Sequence, residues 1–223
     1  MVLLAIDTSG KNGSLGLASV VRERPTVEVL EVTPLAGGTF SAQLIPQIVA
    51  LLKKHHFEKS DIAGFAVISG PGSFTGLRVG LAAIKALAEI LTKPIAAISL
   101  LELVARSGKS QGPVFSVLDA GRAQLYVGDY DQETAQMRSE RLLSREEFSA
   151  ESKDRIVITP DPHVAEQTRS LGFEVEQVDY PRADRIALLG WERILRGETV
   201  HPEALDANYI RRSDAEIFAK SQA

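Results

Sequence analysis

Apolar positions along this chain fall into short runs separated by glycine and polar turns. Residues 1–6 form an unbroken apolar run, as expected of a strand covered on both faces, and the run stops at Asp7-Thr8-Ser9-Gly10. Residues 15–21 and 26–32 predict two further strands and an antiparallel opening. A loop with Gly37-Gly38 precedes an amphipathic helix over 41–55, which carries Pro46 in its first turns, where proline is tolerated. At about 100° per residue, Leu44, Ile45, Ile48, Val49, Leu51 and Leu52 share an arc of about 160° on that helix. The run 65–68 predicts a buried strand, then a glycine-rich loop and a second helix over 77–91. A short strand at 94–98 and a helix at 99–107 close the first half.

The pattern then restarts. Residues 114–121 are an apolar strand ending in Asp119-Ala120-Gly121, and 124–131 resumes as strand. Both halves open with strand, aspartate, tight turn and strand. Further on, 155–159 and 174–178 read as strands, with helices at 162–171 and 185–196, an alternation that predicts parallel pairing in an α/β protein. A duplicated βββαβα lobe is the organisation of the two-lobed actin/hexokinase/Hsp70-like ATPase fold, although a strand-aspartate-turn also arises in unrelated α/β proteins. The expected division is a first lobe at 1–100, with 207–223 packing back on it, and a second lobe at 101–206.

Composition narrows the function classes. The 223 residues are 44% hydrophobic and 24% charged, enough to bury a real core. Net charge is −4, which argues against binding nucleic acid alone through a basic surface. With no cysteine there is no disulfide, thiolate zinc site or cysteine nucleophile. The first residues carry no basic region ahead of the apolar run, so a cytoplasmic protein is expected. His55 and His56 are adjacent and point to different sides of a helix, while His163 and His201 stand apart, so no metal site is expected.

The segment 68–80, Ile-Ser-Gly-Pro-Gly-Ser-Phe-Thr-Gly-Leu-Arg-Val-Gly, joins a strand to a helix as a phosphate loop would. Neither familiar signature fits: Thr75 stands where a dinucleotide loop needs glycine, and no Gly-Lys-Ser/Thr element follows. Asp7 and Asp119, at their strand ends, are the residues a duplicated ATPase would turn toward Mg²⁺ or a substrate hydroxyl. Asp7, Thr8, Ser9, Gly70, Pro71, Gly72 and Asp119 are therefore candidates for a vestigial nucleotide site; plain turn and strand-end roles explain the aspartates equally. The second helix has only Arg78, Lys85 and Glu89 as charges, within about 40° of arc. Gly76, Gly80, Ala83 and Leu87 fall on one side as a shallow groove. Burial in the α/β layer and docking of another subunit both account for it, and the docking reading predicts that Gly80→Arg abolishes association in a folded monomer.

From Gly70 to Gly80 the chain closely resembles the TsaB/YeaZ family, bacterial proteins of tRNA threonylcarbamoyladenosine biosynthesis. The family pattern Gly-Pro-Gly-Ser-Phe-Thr-Gly-x-Arg-x-Gly is met at every defined position. Leu4-Ala5-Ile6-Asp7-Thr8-Ser9, Leu44-Ile45-Pro46, Asp119-Ala120-Gly121-Arg122 with Tyr126, and Tyr209-Ile210-Arg211 extend the likeness over nearly the whole chain. Phe40, where many relatives have histidine, and Ala207, where proline is common, are departures. The resemblance implies a non-catalytic scaffold that binds and stabilises a TsaD-like catalytic subunit through its first-lobe helices. The implied interface residues are Leu44, Ile45, Ile48, Leu52, Gly76, Arg78, Gly80, Ala83 and Leu87. It further implies a TsaE-like ATPase as partner, tRNA contact only through the complex, and transfer of a threonylcarbamoyl group to the adenosine beside the anticodon of tRNAs reading codons that begin with A. The metal-binding His-x-x-x-His pair of the catalytic relative has no counterpart here, and no cofactor of its own is expected; ATP or ADP would sit only at an interface shared within the complex. The isolated chain is expected to form a homodimer. The alternatives are a small phosphotransferase or ATPase of the actin-like fold, weakened by the missing adenosine loop, and a metallopeptidase, opposed by the missing histidine pair.

Overall fold

A computed structural model of the chain describes residues 1–134 and 136–210. Met1–Ser99 and Arg182–Asn208 pack as one unit, and Leu100–Pro181 belong to a second. In the first unit, β1 (Val2–Asp7), β2 (Asn12–Val20), β3 (Val27–Ala36), β4 (Ile62–Gly70) and β5 (Ile95–Ser99) form a sheet of order β3-β2-β1-β4-β5. β1 pairs antiparallel with β2 and parallel with β4, and β4 pairs parallel with β5. Every residue of β1 is buried, which is why its sequence is continuously apolar rather than alternating. Helices α1 (Phe40–Lys54) and α2 (Phe74–Leu91) pack on the sheet and on each other. α2 begins three residues before the predicted start, because Ser73 caps it: the Gly76 N–H donates to Ser73 Oγ at 3.3 Å.

The second unit repeats the topology. β6 (Pro113–Gly121), β7 (Gln124–Asp131), β8 (Gln136–Ser144), β9 (Ile156–Thr159) and β10 (Val175–Gln177) form a sheet of order β10-β9-β6-β7-β8, the first-sheet order with each strand advanced by five. Helices α3 (Leu100–Ala105), α4 (Arg145–Ser149) and α5 (Pro162–Ser170) pack around it. Its core holds Phe115, Phe148 and Phe173, with Phe148 and Phe173 stacked at 4.7 Å between centroids and Phe115 edge-on to both. The sequence pattern missed β8 and α4. β8 reads Gln-Met-Arg-Ser-Glu-Arg-Leu-Leu-Ser and lies at the sheet edge, so it needs no apolar stripe. The five-residue α4 is fixed by a Ser144/Glu147 capping box and one fully buried side chain, Phe148.

The expected lobe division needs one correction. Residues 182–206 are expected in the second lobe, yet α6 (Ala183–Leu195) packs on β1, β2, β4 and β5 of the first. Gly190 explains the close approach: a Cβ there would stand 2.2 Å from the Ala66 Cβ. The Ala183 N–H donates to Ser14 Oγ at 3.0 Å and the Trp191 indole N–H to the Arg24 carbonyl at 2.8 Å, fixing both ends of the helix. Beyond it, Asn208 donates its N–H to the Ser69 carbonyl at 2.7 Å. Of the segment expected to pack back, Ala207 and Asn208 belong to the first unit, Tyr209 and Ile210 group with the second, and 211–223 lie outside the described residues. Among those described, no helix is long and apolar enough to cross a membrane.

Candidate functional site

The glycine-rich segment is built around the turn that ends β1. Gly72, Gly76 and Gly80, spaced by four, all turn a bare Cα toward Thr8 or Ser9. A Cβ would stand 2.5 Å from the Ser9 carbonyl oxygen at Gly72, 2.0 Å from the Thr8 carbonyl oxygen at Gly76, and 2.3 Å from Thr8 Oγ1 at Gly80. Hydrogen bonds seal the approach. The Ser73 N–H donates to the Ser9 carbonyl at 2.7 Å, and Thr8 Oγ1 donates to the Gly76 carbonyl at 2.8 Å in a buried bond. Gly70 precedes a cis bond to Pro71 and has φ 135°, a conformation only glycine takes without strain; its Cα faces the Asn208 carbonyl.

This geometry bears on two sequence expectations. Of the N–H groups that a phosphate at the segment would use, those of Ser73 and Gly76 are spent on Ser9 and on the cap, and Ser9 lies against Gly72. The groove of Gly76 and Gly80 is filled by Thr8 of the same unit, so these glycines belong to the core, and Gly80→Arg would disrupt the fold rather than an association surface.

Asp7 and Asp119 differ sharply in setting. Asp7 is 2% exposed, and its Oδ1 accepts from the Ser9 N–H at 2.8 Å and Ser9 Oγ at 2.6 Å. Burial pushes its carboxyl above the usual carboxylate range, against the pull of both Ser9 bonds. Asp119 is exposed and accepts the Gly121 N–H at 2.9 Å, an ordinary turn bond. Among the described residues no group of three or more His, Asp or Glu is placed to hold a metal ion.

The helices divide their apolar residues between core and surface. On α1, Leu44, Ile48 and Leu52 are buried and cannot meet another chain without unfolding, which removes them from the expected interface. Ile45 is 42% exposed and Val49 59%. On α2, Arg78 is exposed and Ala83 and Leu87 are half-buried, whereas Ala82, Ala86 and Ile90 lie exposed, Ile90 at 79%. Ala82 and Ala86 stand about 200° and about 240° round the helix from Gly80, on the side away from Thr8. Among the apolar side chains exposed on the two helices are Ile45, Val49, Ala82, Ala86 and Ile90. Sequence reasoning named only Ile45 among these as an interface residue. The signal it passed over was that small residues on α2 occur on two opposite sides, and glycine marked the inner one.

Two five-stranded mixed sheets of one topology, each with its helices, define a two-lobed α/β protein of the actin-like ATPase fold class. A ROK family protein from Streptococcus pneumoniae shares that fold at TM-score 0.52 and 10% identity over 89% of this chain and 99% of the other. Residues 32–162 match the family model described as TsaD, tRNA N6-adenosine threonylcarbamoyltransferase. The chain belongs to that family and, within it, to the TsaB/YeaZ group. The Bacillus subtilis protein named tRNA threonylcarbamoyladenosine biosynthesis protein TsaB is 29% identical over 230 aligned residues, 97% of this chain and 96% of that protein. A Pseudomonas aeruginosa crystal structure, described as an uncharacterized protein with similarity to peptidase YEAZ, superposes at TM-score 0.73 and 25% identity, covering 94% of this chain and 99% of the other.

Proposed function

We propose that this chain acts in tRNA threonylcarbamoyladenosine biosynthesis as a non-catalytic scaffold subunit. It binds and stabilises a TsaD-like catalytic subunit, which transfers the threonylcarbamoyl group to the adenosine beside the anticodon of tRNAs reading codons that begin with A. A TsaE-like ATPase joins the pair in the cytoplasm. Contact with tRNA comes through the assembled complex, consistent with the net charge of −4. The observation that carries this reading is the apolar surface of α1 and α2, where Ile45, Val49 and Ile90 face solvent beside Ala82 and Ala86. The names of the relatives support the pathway. The chain supplies no cofactor of its own, and ATP or ADP would be held only at an interface shared within the complex. The Ser73 and Gly76 N–H groups, spent within the chain, and the buried Asp7 stand against the phosphotransferase alternative.

Reconstitution tests the proposal. Purified TsaD-like and TsaE-like subunits, ATP, the threonylcarbamoyl precursors and an acceptor tRNA should yield modified tRNA only when this chain is added. Adding the Ile45→Asp/Ile90→Asp double variant should not restore it. Full modification without the chain would overturn the reading. So would ordinary ATP turnover by the isolated chain that disappears on Asp7→Asn.

A further inference from the structure

The apolar residues that seat α2 on the sheet, Leu77, Leu81, Ile84 and Ala88, make contacts that are strong but not directional. A helix held in this way alone can rotate or slide by a fraction of a turn with little loss. Directional bonds add to these contacts: Lys85 Nζ donates to the Glu203 carbonyl at 3.2 Å from one side of the helix, and a buried bond holds its first turn. A helical carbonyl keeps a second lone pair after its i+4 bond, and at Gly76 the buried Thr8 hydroxyl takes it at 2.8 Å. To reach that carbonyl the hydroxyl occupies the space where a side chain at position 80 would lie. The Ser73 N–H bond to the Ser9 carbonyl anchors the residue just before the helix.

We propose that Thr8 is a positioning residue for the docking face. Its hydroxyl bond to Gly76 and its seat against Gly80 set the rotation and axial position of α2. Arg78, Ala82, Ala86 and Ile90 are thereby presented in the register that the catalytic subunit meets. This rests on the reading of α1 and α2 as the docking face. It assigns the Asp7–Ser9 turn a mechanical role in place of a nucleotide role.

The test compares Thr8→Ala, which deletes the hydroxyl, with Thr8→Ser, which keeps it, in the full chain. Affinity for the TsaD-like subunit, hydrogen exchange of the first α2 amides and thermal unfolding are measured for each. Thr8→Ala should weaken binding about fivefold or more and speed exchange at the start of α2, and Thr8→Ser should restore both. Phe173→Leu, in the core of the second unit, should lower the thermal midpoint without changing affinity, which separates positioning from general destabilisation. Gly80→Ala, which drives the hydroxyl from its place, offers a second route to the same loss should Thr8→Ala fail to fold. Unchanged affinity and exchange in Thr8→Ala, or a serine variant no better than alanine, would overturn the proposal. Single Ile45→Asp separates the two readings. If it weakens binding while Thr8→Ala does not, positioning is wrong and docking stands. If it leaves binding unchanged while exchange still responds to Thr8→Ala, the hold on α2 stands and the docking consequence falls.

Discussion

Asp7 sits at the end of a strand buried at every position, and its side chain accepts from the Ser9 N–H and hydroxyl. Two hydrogen bonds do not replace the hydration of a carboxylate, so burial favours the protonated form and raises the carboxyl above its ordinary range. A raised folded-state value favours the folded protein in acid. That stabilisation is complete below the unfolded-state value, about 3.9, and is lost as pH rises through the folded-state value. Asn keeps the acceptor for Ser9 and never ionises. Asp7→Asn should therefore be more stable than the parent at neutral pH, with the difference shrinking toward zero as pH falls to about 4. Urea midpoints measured from pH 4 to pH 8 check this, and a difference that does not vary with pH would refute it. A residue that catalysed phosphoryl transfer would need to meet solvent and metal, and the burial of Asp7 speaks for a structural role in the isolated chain.

Single elements carry their own signals and their own strain. The C-cap of α2 is Thr92, with φ 53° and ψ 53°, while its N–H still reaches the Ala88 and Glu89 carbonyls. A β-branched residue is poorly suited to this left-handed position, which glycine fills in many helices. Thr92→Gly should raise stability by about 0.5–1 kcal/mol, read as a higher urea midpoint at unchanged slope; a lower midpoint would show the strain to be relieved by something else. The body of the same helix is legible in its apolar run from Leu77, whereas its start at Phe74, behind the Ser73 cap, is not. What Gly76 and Gly80 face is not legible. A small-residue stripe serves an internal neighbour and an external partner equally well, and the internal neighbour, Thr8, comes from a turn 68 residues away in sequence.

At the scale of the molecule, the first unit leaves apolar side chains exposed on α1 and α2 while the inner faces of both helices are consumed by its own core. Isolated chains should cover these side chains by self-association, since a cluster of exposed large aliphatic side chains marks an interaction surface. The Ile45→Asp/Ile90→Asp double variant should remain folded, because both side chains are exposed, Ile90 at 79%. Its self-association should weaken at least about tenfold, as measured by sedimentation across a concentration series. If the proposed docking uses the same side chains, titrating the TsaD-like subunit into the parent chain should dissolve the expected homodimer. A homodimer of unchanged strength in the double variant would place the contact elsewhere.

Much of this protein was fixed by local pattern. The apolar run before Asp7 and its echo before Asp119 announced a repeated strand-aspartate-turn, and both sheets are built on it in the same order. The motif from Gly70 to Gly80 was specific enough to indicate the family, because each of its glycines is required by a contact or a backbone angle. The tertiary structure alone decided three matters. It placed α6 with the first unit, since an amphipathic helix records that it has a buried face but not which sheet covers it. It revealed β8, whose edge position removes the need for an apolar stripe. And it turned the α2 stripe of Gly76 and Gly80 inward, leaving Ala82, Ala86 and Ile90 outside. Periodicity gives the angle between side chains on a helix, whereas the direction that faces the core is set by residues distant in sequence.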